Sequence, residues 1–215
     1  MKRNLRRGAL SLVLCLVLLA LTGCSSGREF TPTGNSMYIS KEGLLSTAFV
    51  VEVDQAYYTE ADMLAFCEAE VREYNRSKGA SDTAYQEQAA EEEVLPVAIQ
   101  SLTFGQEAML ILNYATAEDY LTFNERDENR AKSLIYAAAR NTTGLPDIAL
   151  VSTKDGTKIA AGSIIGDGKL QILMVEGPQN VQVQGKLMYY SENVTVTGED
   201  TAVTADEGYS YLVFK

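Results

Sequence analysis

From Gly144 to Lys215 turn residues interrupt the chain every few positions, and this punctuation limits the fold more than any other feature. Asp155-Gly156, Asp167-Gly168 and Gly177-Pro178 separate the apolar runs Ile148 to Ser152, Lys158 to Ile165 and Leu170 to Val175. Asp-Gly pairs suit tight hairpin turns, and β-branched runs between them suit strands, so the three runs read as a meander. Val181 to Val183, Leu187 to Tyr190, Val194 to Thr197, Ala202 to Thr204 and Tyr209 to Phe214 follow at short spacing. The segment 144–215 is therefore expected to be all β, as a sandwich, partial barrel or curved sheet.

Residues 37–143 read differently. Met37 to Ser40 and Leu44 to Val53 flank Lys41-Glu42-Gly43, a hairpin pattern. Thr59-Glu60-Ala61-Asp62 resembles a capping box, and Ala61, Leu64, Cys67, Val71 and Tyr74 recur at helical steps up to the stop at Gly79. The spacing predicts a helix over 60–77. Residues 80–93 are polar and weakly patterned, a mobile loop or loose helix. Leu95 to Phe104 and Ala108 to Tyr114 read as strands, the latter apolar on both faces. Thr116 caps a short predicted helix over 117–123. Ala131, Leu134, Ile135 and Ala138 suggest another over 128–140. The fold class is α+β: a hairpin–helix–strand part, 37–143, then a mainly antiparallel all-β part, 144–215. The two are separate domains or one continuous fold.

The start of the chain is an address. Met1 to Arg7 is basic, and Ala9 to Leu21 is almost purely apolar. As helix those thirteen residues cover roughly 20 Å, short of a bilayer core of ~30 Å, so they suit a signal better than a permanent span. Leu21-Thr22-Gly23-Cys24 resembles a lipobox: a bulky aliphatic, two small residues, then cysteine. The resemblance implies a lipid on Cys24, cleavage after Gly23 and a place at the outer face of a membrane. Residues 1–23 are then the signal and 24–36 a lipidated tether, polar and rich in Ser, Gly and Thr.

The signal takes four basic residues and no acidic ones with it, so 14 Lys/Arg and 29 Asp/Glu remain, a formal charge of −15. Such a surface argues against nucleic acid and against flat docking on anionic lipid. Cationic peptides, divalent ions and basic protein faces remain open. Cys15 leaves with the signal and Cys24 takes the lipid, so Cys67 has no disulfide partner within the mature chain.

Catalytic groups are scarce. The chain has no histidine, which removes the His-dependent triads and the commonest zinc ligand. Cys67 falls on the helix stripe and reads as a small buried hydrophobe without a base beside it. The spacings Ser36…Lys41 and Ser152…Lys154 do not make Ser-x-x-Lys. Gly162 to Gly168 lacks the Lys-Ser/Thr end of a phosphate loop and reads as a hairpin. Asp155 and Asp167 offer one carboxylate each, too few for calcium. Glu91-Glu92-Glu93 reads as a solvated charge run. No catalytic, cofactor or metal residue is assigned. Tyr57-Tyr58, Tyr189-Tyr190, Tyr209 and Tyr211 form either an exposed patch or packed sheet faces.

Ser36 to Gly43, Asp54 to Leu64, Ala117 to Asn124 and Gly208 to Lys215 resemble corresponding stretches of a group of uncharacterised lipoproteins from gut Gram-positive bacteria. That resemblance implies the same extracytoplasmic location and a non-enzymatic role. The expected function is an anchored interaction or structural protein of the cell envelope, with an envelope protein or ligand as its other partner. The alternatives are a binder of a peptide, ion or wall fragment, and a hydrolase working through two carboxylates.

Overall fold

The structure is a computed structural model that describes residues 29–54 and 59–215. The signal, Gly23, Cys24 and Tyr57-Tyr58 lie outside the described residues.

Strands β1 (Ser36–Ile39) and β2 (Leu45–Glu52) form the expected hairpin. Gly43 turns it with φ +89°, where its missing Cβ also makes room for the Tyr136 ring. Helix α1 (Glu60–Ser77) has the expected bounds. The Thr59 hydroxyl accepts from the Asp62 amide at 3.1 Å and donates to its carboxylate at 2.6 Å. Its stripe is buried at Val71 and half-buried at Leu64, Cys67 and Tyr74, whereas Ala61 is exposed. Strands β3 (Val97–Phe104) and β4 (Glu107–Tyr114) follow, then helix α2 (Ala117–Phe123), capped by Thr116.

The predicted helix over 128–140 is instead strand β5 (Ser133–Ala138). Its six residues pair one for one with β8 (Gln171–Glu176), which satisfies the backbone that a helix would have satisfied locally. The expected meander is also revised. Strands β6 (Ala149–Ser152) and β7 (Lys158–Ala160) form a hairpin, but β7 ends where Ala161 and Ile164 turn inward through a 3-10 segment, Ala161–Ile164. Gly162 to Gly168 is thus not a hairpin, and β8 pairs with β5 and with the distant β13 (Tyr209–Phe214). The strands β9 (Asn180–Val183), β10 (Leu187–Ser191), β11 (Thr195–Val196) and β12 (Thr201–Val203) fall close to their expected places.

Two sheets result: a seven-stranded one in the order β11-β12-β9-β1-β2-β4-β3, and a six-stranded one in the order β5-β8-β13-β10-β6-β7. The class is α+β, with both described α-helices before residue 124. Strands from either side of residue 144 share both sheets, because β9 lies parallel to β1 and β8 lies against β5. Met37, Leu45, Val97, Leu112 and Val181 point inward from the larger sheet and join Leu173, Val175, Leu212 and Phe214 of the smaller one in a common core. Val71 and Tyr120 bring both helices to that core. The far face of the smaller sheet carries a second core of Leu150, Ile172, Tyr211 and Val213, joined by Ile164 and Leu170.

Residues 29–35, expected as loose tether, lie along the larger sheet as a strap. The Thr31 amide donates to Gln182 Oε1 at 3.1 Å, Gln182 Nε2 donates to the Glu29 carbonyl at 3.2 Å, and Phe30 stacks on Tyr38 at 5.3 Å. Asn35 accepts from the Val50 amide and from Asn180 Nδ2.

Candidate functional site

Strand alternation places Phe49 of β2 and Leu110 of β4 opposite one another on the inner face of the larger sheet. Leu112 follows on the same face. Helix α1 passes above with Phe66, Cys67, Glu70 and Val71, which the helical repeat keeps on one side. Phe123 ends α2, and Arg126 and Asp127 follow in the next loop. Together these residues line an apolar groove of about 370 Å³. Phe66 on its lip is 66% exposed, and Val51, two residues along the strand from Phe49, is 51% exposed. Apolar side chains left this open beside a concavity form an exposed apolar patch.

The polar neighbours are mostly committed to structure. Asn124 donates to the Tyr114 hydroxyl at 3.1 Å and to the Tyr120 carbonyl at 2.8 Å. Burial pushes the Cys67 thiol up, so at neutral pH it is a protonated wall group and not a nucleophile. Glu70, Arg126 and Asp127 stand among the lining residues. Next to the groove, sharing Phe49 and Asp127 with it, is a polar cavity of about 220 Å³ with Tyr120, Asn129, Arg130 and Gln179 in its wall. Arg130 Nε is itself buried, with no hydrogen-bond partner among the described residues, as is Arg72 Nε.

The other candidates are not brought together. Asp155 accepts from the Thr157 amide and hydroxyl, and Asp167 from the Lys169 amide, so both serve their own turns. Glu91 and Glu92 are exposed, as read, while the half-buried Glu93 is also hydrogen-bonded: it accepts from the Ser81 amide at 2.8 Å, from the Ser81 hydroxyl and from the Ala90 amide at 3.1 Å. It thereby pins the loop over 80–93, whose single 3-10 turn is Gln86–Gln88. Hydrogen bonds hold the Glu93 and Asp155 carboxyls below their usual range, the direction opposite to that of a general acid. No three His, Cys, Asp or Glu side chains gather into a metal set among the described residues. Tyr190 packs on the common core, Tyr189 on the second core and Tyr211 is buried, leaving Tyr209 at 43% exposure. Sequence reasoning missed the groove. Its one sign was Phe66, a large aromatic lying off the apolar stripe of α1.

No protein-family profile matches the chain, and neither does any curated protein or solved structure.

Proposed function

We propose that the protein is a lipoprotein of the bacterial cell envelope, lipidated on Cys24 and held at the outer face of a membrane, whose groove seats an apolar side chain of an envelope partner without catalysing a reaction. The exposed apolar groove built on Phe49, Phe66 and Leu110 carries this reading. A chance exposed residue stands alone; here four separate elements converge on one concavity. No described helix is long and apolar enough to cross a membrane; the attachment in this reading is the lipid on Cys24.

The test uses Nile red, a neutral dye that brightens in apolar surroundings. The native chain should brighten it, and Phe66→Asp should lose most of that signal while melting at nearly the same temperature, since exposed substitutions change stability by about 0.5 kcal/mol or less. Equal brightening by both chains would reject the groove. A palmitate label lost in Cys24→Ser tests the anchor separately.

The unpartnered Arg130 Nε beside the groove supports a second reading, a small ligand with an apolar body and an anionic group. Such a ligand at 100 times its Kd adds ~2.7 kcal/mol, so fatty acids and acidic peptides that leave Tm unmoved would dismiss it.

A further inference from the structure

The strap over residues 29–35 has a definite side. Tyr38 alternates with Met37 and Ile39, which point into the common core, so Tyr38 and the Phe30 ring stacked on it lie on the opposite, outer face of the larger sheet. Gln182 pairs with Tyr38 and shares that face. Helix α1 and the groove lie on the inner face, through Val71, Phe49 and Leu110. Strap and groove thus lie on opposite faces of the sheet.

The leash between them is short. From Cys24 to Glu29, the first residue whose backbone the strap bonds, five residues reach at most ~18 Å when fully extended. The outer face is also suited to a lipid surface. In a chain with 29 acidic residues, the outward positions of its strands carry charge only at Glu52 and Glu107, which meet at one corner. The strap adds the exposed Glu29, the Asp200 carboxylate reaches the margin, held by Gln182 at 3.3 Å, and Glu42 stands near enough to act on Tyr38. Val50, Met109 and Ile111 form a half-exposed apolar strip across β2 and β4. The acidic bulk of the molecule is repelled by anionic headgroups, and a face with few carboxylates is the one that tolerates their proximity.

We infer that the protein stands with the outer face of its seven-stranded sheet toward the bilayer and its groove turned away from it, into the space beyond the membrane. This rests on lipidation of Cys24. The occupant of the outer face is the host bilayer; the groove is left for a partner that is not membrane lipid.

The experiment uses the full, lipidated chain in phosphatidylcholine–phosphatidylglycerol vesicles carrying an acceptor-labelled phosphatidylethanolamine. In a Cys67→Ser background, a donor dye is attached at Thr103→Cys on the outer face or at Glu73→Cys on α1, both exposed positions. Sheet and covering layer lie about 10 Å apart, so energy transfer should be roughly twofold stronger from Thr103→Cys. A second pair, Ser101→Cys and Arg76→Cys, should repeat the order. A long Gly-Ser insert after Gly27 should erase it. Equal transfer from the two sides, or stronger transfer from α1, would overturn the orientation while leaving the anchor standing. An order that survives the insert would overturn the leash as its cause. A chain that neither floats with vesicles nor carries an acyl group on Cys24 would overturn anchor and orientation together.

Discussion

Asn75 lies fully buried on the inner side of α1, where its Nδ2 donates to the Thr83 and Val97 carbonyls and its Oδ1 accepts from the Val97 amide. It binds the edge of β3 as a neighbouring strand would. Replacing it by Ala leaves three buried backbone groups without partners, which should cost roughly 2–4 kcal/mol in chemical denaturation. Glu93 gives a pH dependence. Its folded pKa is depressed below 4.5, so its contribution is fully present above 4.5 and is lost as the pH falls through the lower folded value. Protection of the Ser81 and Ala90 amides, corrected for intrinsic exchange, should therefore drop on acidification, and in Glu93→Gln it should be weak already at neutral pH. Gly185 has φ +100°, and an added Cβ would collide with the Lys215 carbonyl oxygen. Gly185→Ala should lower stability by about 1–3 kcal/mol from backbone strain, and further from the clash, as a thermal melt will show. None of these roles has a sequence signature, because each depends on a backbone group many residues away.

At the scale of elements, legibility followed locality. Helices α1 and α2 were readable because Thr59 and Thr116 cap them through residues three positions on. Thr59→Ala should cost about 1 kcal/mol and fray the first turn of α1, visible as faster exchange there. Strand β5 was misread for the opposite reason. Leu134 faces Val175 in the common core while Ile135 lies toward the other side, yet with Ala131 and Ala138 they mimic a helical stripe. Only β8, some forty residues on, decides between the two. The groove was hidden likewise: Phe49, Phe66, Leu110 and Phe123 share no motif and meet only when β2, α1, β4 and α2 are assembled.

For the whole molecule, the parallel contact of β1 with β9 and the contact of β5 with β8 decide what folds together. A fragment covering 37–143 lacks both partners and should show no dispersed amide spectrum, whereas the chain over 29–215 should unfold in one transition by near- and far-ultraviolet dichroism. A fragment that folded alone would show that the first part carries its own core. Pairings this distant in sequence also predict slow folding for the size of the chain.

Strand β13, the last of the described strands in chain order, is not at a border of its sheet: β8 lies on one side of it and β10 on the other. A polypeptide leaving the ribosome from its amino end delivers that central stave after all its neighbours. Until residues 209–214 emerge, β8 and β10 have no one between them, and the barrier to premature closure is written into the order of synthesis. A stop codon upstream of Tyr209 would yield an unfinished product open to proteolysis, so the topology itself checks that the message has been read through to β13.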